Sequence, residues 1–521
     1  MIWVELRQAL EARGLLAAAP SAADAISNRL ISGIAYDSRT VEPGAVFVAL
    51  KGQHADGTMF ARQAIGRGAA VIVSETSAPA DVQIPWLVVT DARLALAVLA
   101  AAFFDHPSRD MRVVGITGTN GKTTTAYLIA SIFEAAGIRC GILGTVAYRV
   151  GPGERDSREA SRTTPEAPDV QALLREMVER GCGACAMEVS SHALSLRRVD
   201  DVAFAAGVFT NLTRDHLDFH EDMEAYFQAK RRLFEMLPSN APSLLNLDDP
   251  RGSSLAEAGG RPVTYAINRD ADIRPGPLSF SLDGLQFDVR TPRGTIHVNS
   301  KLVGRPNVYN ILAAVATATA MDISFDAIER GLRTLDGVPG RFQVASAPKD
   351  DVTVVVDYAH TDDALRNLLE TARPLAKGRL ITVFGCGGDR DRPKRPLMGA
   401  VAGRLSDLVV ITSDNPRSED PQRIIDEIRR GITPDTRGRS GGAAGSAQAG
   451  KRDDQPRTLT IVDRRAAIAK AIELARPGDL VLVAGKGHEK YQVIGDRVLP
   501  FDDVAVSREA LAKRRTNSGV V

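Results

Sequence analysis

The sequence predicts an α/β protein of three domains: a small N-terminal α/β domain, a central P-loop domain with a mostly parallel sheet, and a C-terminal Rossmann-like domain. Three observations lead there. The chain has 521 residues, and domains run to roughly 100–200 residues each. From about residue 110 onward, apolar strand-like runs alternate with helical segments, the order that builds parallel sheets. Those runs end in polar clusters, and open parallel sheets bind ligands beyond the carboxyl ends of their strands.

The first region, 1–109, contains GIAYDSR, where apolar and polar residues alternate, and the short β-rich runs VFVAL, AAVIV and WLVV. ADGTMFARQAIGRGA and ARLALAVLAAAFF read as helices. His106-Pro107-Ser108 ends the last of them, because proline disfavours helix at the residue before it.

The second region, 110–344, opens with strand MRVVGIT, a glycine-rich turn and the helix TTTAYLIASIFEAAG. Ala126, Ile129, Phe133 and Ala136 share one face of that helix, and Gly137 ends it. Further strands are expected in GACAMEVS, FAAGVFTNL and PSLLNLD. The third region, 345–521, repeats the alternation. TVVVDYAH, LITVFGCGGDR, LVVITSDNPR, LTIVDR and LVLVAGKGHE are five strands with five polar ends, which together look like one built site. Residues 436–455 are rich in Gly, Ala and Ser and then charged. They hold too little apolar surface to pack and are read as a disordered insertion.

GITGTNGKTTT follows a strand and opens a helix. In that setting the backbone N–H groups of Gly118, Thr119, Asn120 and Gly121 can surround phosphate oxygens, Lys122 can reach the β- and γ-phosphates, and the Thr123 hydroxyl can ligate Mg2+. Ile116 stands where the general P-loop pattern has its first glycine. The lysine-threonine pair between strand and helix still points to ATP or GTP. Glu188, at the end of a strand, is a hard oxygen donor suited to Mg2+. Taken alone, His216 reads as structural and Lys230 as a solvated helix lysine.

Bulk properties exclude several partners. A formal net charge of +1 gives no support to nucleic-acid or membrane-surface binding. No apolar run reaches the ~18 residues of a membrane span. MIWVELRQAL has Glu5 and Arg7 where a secretory signal needs its apolar core. Cys182 and Cys185 form a CxxC with no second half, so both read as core residues beside Cys140 and Cys386. The absence of a disulfide framework points to the cytoplasm.

TGTNGKTT, MEVSSH, NLTRDHLDFH, RPNVYN, PGRFQ, DYAH, FGCGGDRD, SDNPR and AGKGHE occur here in one order. That series closely resembles the Mur ligase family, a resemblance that runs from about Tyr36 to Glu489. The resemblance implies a UDP-sugar domain, a central ATPase and an amino-acid-binding domain. It implies ATP held by Gly118 to Thr124 with Asn307 and Arg341 nearby, and Mg2+ held through Thr123, Glu188, His216 and a carbamylated Lys230. The UDP end of the substrate would meet Tyr36, Ser38, Gln53, His54 and Ala55; its muramoyl-peptide part would meet Thr163, Thr164, Ser190 and Arg198. The implied reaction forms an acyl phosphate on the D-glutamate of UDP-N-acetylmuramoyl-L-Ala-D-Glu, which an amino-acid amine then attacks. The partners are thus small molecules, and a monomer is expected.

The third region decides which amino acid. Diaminopimelate carries a second carboxylate that lysine lacks, and a bidentate arginine suits it. Within the resemblance, Asp414-Asn415-Pro416-Arg417 matches diaminopimelate-adding members, with Arg390 as a second cation, Glu489 for the far ammonium and Gly485 leaving room. Three departures stand out: Thr361-Asp362-Asp363 replaces the usual Thr-Pro-Asp, Arg162 stands where some members have Asn, and the 436–455 insertion has no counterpart. A lysine-adding or folylpolyglutamate-type ligase is the nearest alternative, and a nucleotide-binding switch the alternative from another class.

Overall fold

The computed structural model describes residues 1–17, 27–52, 55–151, 156–432 and 457–517. Four larger sheets and one hairpin organise them.

The first sheet is short and wholly parallel: β1 (Ile34–Ala35), β2 (Val46–Val48), β3 (Val71–Ser74) and β4 (Trp86–Val88), in that order. GIAYDSR thus yields two strand residues only. The expected helix of ADGTMFARQAIGRGA is a 3-10 turn, Gly57–Phe60, followed by one short α-helix. The helices here are α1 (Trp3–Ala12), α2 (Ala61–Gly66) and α3 (Ala92–Phe103). The apolar spacing of Trp3, Leu6 and Leu10 buries one face of α1, a helix the sequence reading did not mark.

The second sheet has eight strands: β5 (Arg112–Thr117), β6 (Cys140–Leu143), β7 (Ala147–Arg149), β8 (Ser157–Glu159), β9 (Ala184–Glu188), β10 (Phe204–Phe209), β11 (Pro242–Asn246) and β12 (Arg261–Tyr265). Their order is β12-β11-β10-β5-β9-β6-β7-β8, parallel except at β7 and β8. The apolar residues of α4 (Lys122–Ala135) pack on this sheet, with α5 (Ala167–Glu179), α6 (Ser191–Ser195) and α7 (Met223–Glu235) joining its other strands. Cys140 and Cys185 lie on β6 and β9, Cys182 just ahead of β9, and all four cysteines are free and buried.

An antiparallel sheet follows that the sequence reading missed: β13 (Arg274–Pro275), β14 (Ser279–Ser281), β15 (Gly284–Thr291) and β16 (Gly294–Ser300). Leu285, Phe287 and Val289 point inward from β15 at period two. Helices α8 (Arg305–Ala320) and α9 (Phe325–Thr334) join this sheet to the preceding core.

The fourth sheet comprises β17 (Gln343–Val344), β18 (Thr353–Asp357), β19 (Leu380–Phe384), β20 (Leu408–Ile411), β21 (Thr458–Thr460) and β22 (Leu480–Ala484), in the order β17-β18-β22-β19-β20-β21. Only β17 runs antiparallel. Helices α10 (Asp362–Ala372), α11 (Lys394–Leu405), α12 (Pro421–Arg430), α13 (Arg464–Leu474) and α14 (Asp503–Asn517) surround it, and β23 (Tyr491–Ile494) and β24 (Arg497–Pro500) form a hairpin. Thr361 caps α10 through the backbone N–H of Ala364, so the missing proline leaves the helix start intact.

Of the five expected polar strand ends, that of LTIVDR departs. Asp463 caps α13. Arg464 is buried and pairs with both oxygens of Asp503 at 2.8 and 2.7 Å, while its NH2 also donates to the Ala484 carbonyl at 3.0 Å. It supports the end of β22 from beneath and presents nothing to a ligand. Removing one partner of a buried ion pair leaves an uncompensated charge. Arg464→Met should therefore cost about 3–5 kcal/mol in unfolding free energy, measured by denaturant titration.

Candidate active site

The turn after β5 is shaped by its glycines. Gly118 and Gly121 have φ of 142° and 88°, in the region where a side chain is strained. A Cβ on Gly118 would collide with Thr210 Oγ1, and one on Gly121 with Asn310 Oδ1. The end of β10 clamps the turn: Thr210 Oγ1 donates to the Asn120 carbonyl at 2.6 Å, and the Asn120 N–H donates to Asn211 Oδ1 at 2.9 Å. Lys122 folds back on its own loop, donating to the carbonyls of Gly118 and Thr119, both at 2.8 Å.

Lys230 is not solvated. It is 1% exposed, donates to the same Gly118 carbonyl at 2.9 Å and lies 4.4 Å over the Tyr226 ring. Burial, and then the charge of Lys122, hold its pKa well below the usual lysine value. Glu188, at the end of β9, is 1% exposed; its carboxylate accepts from the Thr145 N–H at 2.9 Å and the Thr145 hydroxyl at 3.0 Å. His216 has a left-handed φ of 53° and packs edge-on to His192. Thr123 Oγ1 accepts a hydrogen bond from Arg341 at 3.0 Å, and that guanidinium covers the Tyr358 ring at 4.6 Å.

A cavity of about 870 Å3 brings these groups together. It is lined by Thr119 to Thr124, Thr163, Glu188, Ser190, His216, Asn307 and Arg341, and across from them by Asp357, Tyr358 and His360. Gly118, Thr164, Arg198 and Lys230 stand behind its wall. Thr164 Oγ1 donates to the Glu188 carbonyl at 2.8 Å, and Thr163 shares a hydroxyl contact with Thr145 at 3.0 Å. Sequence reasoning left out Thr210, Asn211 and Asp215, although NLTRDH pointed there. It also left out Asp357, Tyr358 and His360, although DYAH did. Phe280, on the unforeseen antiparallel sheet, also lines the cavity.

Among the described residues no three His, Cys, Asp or Glu side chains converge on one point. Oxygen donors near the P-loop include Glu188, Asp215 and the Thr123 hydroxyl, with His216 beside them. Such a set fits Mg2+, which keeps several waters and uses one or two carboxylates plus substrate phosphates. Arg341 would have to leave Thr123, since a guanidinium and a divalent cation on one oxygen repel.

The N-terminal candidates lie apart from the cavity. Tyr36 donates to Asp169 Oδ2 at 2.9 Å, which ties β1 to the first turn of α5, and burial raises its phenol pKa. Ser38 donates to Gln63 at 2.7 Å. The carbonyl of Ala55, an exposed residue, accepts from the Gly52 N–H at 2.8 Å, while Gln53 and His54 lie outside the described residues, as does 436–455. Arg198 and Arg162 both pair with Glu166 Oε1, at 2.7 and 2.6 Å.

The C-terminal candidates form a second cluster. Arg417, at φ 51°, donates to the Gly388 carbonyl at 2.7 Å, and Arg390 donates to the Asp389 carbonyl at 2.9 Å. Burial and the charge of Arg390 lower the pKa of Arg417. Among the described residues neither guanidinium forms an ion pair. Asp414 and Asn415 are buried next to them, the Pro416 carbonyl accepts from the Glu419 N–H at 3.0 Å, and Gly485 sits against the Asp414 carboxylate. Glu489 is less free than the sequence implied: Lys486 and Asn415 both donate to its Oε2, at 3.0 and 2.9 Å.

Burial pushes the pKa values of His192, His216 and His220 down to about 4. These imidazoles stay neutral in the fold where an unfolded chain would bind protons. The ligand-free protein should therefore lose stability as pH falls from about 6.5 toward 4, because the unfolded state binds more protons there. Denaturation midpoints across that range should fall less steeply for His220→Phe than for the wild type.

Three family models match: "Mur ligase family, catalytic domain" over residues 30–104, "Mur ligase middle domain" over 116–318, and "Mur ligase, glutamate ligase domain" over 340–487. A UDP-N-acetylmuramoyl-L-alanyl-D-glutamate–2,6-diaminopimelate ligase from Gloeobacter violaceus is 47% identical over 487 residues, covering 93% of this chain and 95% of its own. A solved structure of an enzyme with that name is 34% identical, covers 93% of this chain and 95% of its own, and superposes with a TM-score of 0.63. A MurF ligase from Thermotoga maritima, solved in complex with ADP, shares the fold at 18% identity and a TM-score of 0.61, over 92% of this chain and 98% of its own. With all three models in order and a full-length relative at this identity, the chain belongs to the Mur ligase family.

Proposed function

We infer that this chain is the ATP-dependent ligase that joins meso-diaminopimelate to the D-glutamate of UDP-N-acetylmuramoyl-L-Ala-D-Glu in the synthesis of peptidoglycan precursors. The observation that carries the choice of amino acid is the pair Arg417 and Arg390. Two adjacent guanidiniums, one half-buried and neither ion-paired among the described residues, are costly unless an anion completes them. The second carboxylate of diaminopimelate is such an anion.

The residues then divide as follows. Residues 1–109 hold the UDP end through Tyr36, Ser38 and Gln53 to Ala55. Residues 110–344 hold ATP on Gly118 to Thr124, with Asn307 and Arg341 beside it. Residues 345–521 hold the amino acid. Thr163, Thr164, Ser190 and Arg198 orient the muramoyl peptide, with Glu166 giving up Arg198 to the substrate's own carboxylate. The D-glutamate side-chain carboxylate attacks the γ-phosphate of ATP, forming an acyl phosphate and ADP. The diaminopimelate amine attacks the acyl carbon, loses its proton, and phosphate leaves as the amide forms. Lys122, released from its loop carbonyls, neutralises the phosphates, and the rest of catalysis is positioning. Mg2+, held by Thr123, Glu188, His216 and a carbamate on Lys230, would supply charge neutralisation at the phosphates.

Lys230 suits that role chemically. Its lowered pKa favours the neutral amine, the form that reacts with carbon dioxide, and the carbamate would place a negative charge beside Lys122. All residues invoked come from one chain, so a monomer suffices. No described helix is long and apolar enough to cross a membrane, and a cytoplasmic site of action matches nucleotide-linked substrates.

Phosphate release with ATP, Mg2+ and UDP-N-acetylmuramoyl-L-Ala-D-Glu tests this reading. Release is expected with meso-diaminopimelate and not with L-lysine; the reverse preference would overturn the assignment of Arg417. Arg417→Ala should lose about 2–5 kcal/mol of diaminopimelate binding, seen as a raised KM, while the KM for ATP stays unchanged.

A further inference from the structure

The amino-acid cluster holds one buried cation that the assignment above leaves unused. Lys486, in the loop after β22, has a side chain that is 0% exposed. Its ammonium donates to Asn415 Oδ1 and to Glu489 Oε2, both at 3.0 Å, and lies 3.8 Å from Asp414 Oδ1. Asn415 Nδ2 closes the ring by donating to the same Glu489 Oε2 at 2.9 Å, and Asn415 Oδ1 also accepts from the Val493 N–H at 2.9 Å. A buried ammonium survives only with such partners.

The ring has a directional consequence. Oε2 of Glu489 is occupied from the protein side by two donors, so the carboxylate is held in one orientation. Among the described residues its Oε1 accepts no hydrogen bond. Arg417 and Arg390 stand close by, and the charges of Glu489 and Asp414 both act on Arg417. If Glu489 were free to turn, it would pair with those guanidiniums and cancel the cations that face the ligand.

We propose that Lys486 is a positioning residue for the amino-acid substrate: it restrains Glu489, keeping one Glu489 oxygen free for the far ammonium and the two arginines free for the far carboxylate. The proposal rests on the pocket assignment made above. Lys486 touches no reacting atom; it acts through Glu489.

The test is steady-state phosphate release by the full chain with varied meso-diaminopimelate and then varied ATP. Lys486→Met should raise the KM for diaminopimelate by about tenfold or more, with the KM for ATP within about twofold of the wild type. A residue acting through Glu489 loses its effect once Glu489 is changed. In a Glu489→Gln background, adding Lys486→Met should therefore leave the diaminopimelate KM where Glu489→Gln alone puts it. The double variant removes both partners of the Lys486–Glu489 ion pair and should fold even where Lys486→Met does not. An unchanged diaminopimelate KM in Lys486→Met, an equal rise in the KM for ATP, or a double variant worse than Glu489→Gln would overturn the proposal and leave the pocket assignment standing. A wild type that releases no phosphate with diaminopimelate would remove both.

Discussion

The site depends on one crowded oxygen. The carbonyl of Gly118 accepts from Lys122, which lines the cavity, and from the buried Lys230. The two nitrogens lie 2.8 and 2.9 Å from that oxygen, and two charges so placed would repel by on the order of 3 kcal/mol at an effective dielectric of about 20. The fold cannot relieve this by moving Lys230. Lys122 opens α4 and is tied to the turn, and Lys230 is fixed in α7 under the Tyr226 ring. Burial and the charge of Lys122 lower the pKa of Lys230 and so favour its uncharged form. A carbamate there would go further, replacing a repulsive pair with an attractive one.

The remaining architecture serves to bring three sets of strand ends near that turn. β5, β9 and β10 of the central sheet deliver the glycine loop, Glu188 and the Thr210-Asn211 clamp. β18 brings Asp357 and Tyr358 across the cavity from them. β19, β20 and β22 deliver the arginines and the Lys486 ring, supported by the buried Arg464. Four of the nine left-handed, non-glycine residues among those described lie here: His216, Phe342, Asp389 and Arg417. Such conformations persist only where the surroundings enforce them. At Arg417 the backbone does so through Val493 and Gly495 of the hairpin.

The parallel sheets were legible because their strands are buried on both faces and read as continuous apolar runs. The phosphate turn was legible because its chemistry is local. The antiparallel sheet around β15 was missed, although Leu285, Phe287 and Val289 alternate plainly, because expectation of strand-helix alternation masked a period of two. Helix α1 was passed over when its segment was weighed only as a possible signal. The structural role of Arg464 was not readable from LTIVDR, since its partner Asp503 lies 39 residues away. The engagement of Glu489 by Lys486 was hidden for a different reason: neighbours in sequence do not declare whether their side chains point at each other or at a ligand.

The proposed carbamate on Lys230 would relieve its repulsion with Lys122 in the working enzyme. Carbon-13 NMR of the protein equilibrated with carbon-13-labelled bicarbonate tests it most directly. The account predicts a carbamate carbonyl signal in the wild type that disappears in Lys230→Arg. No such signal in the wild type, or one that survives in Lys230→Arg, would contradict it.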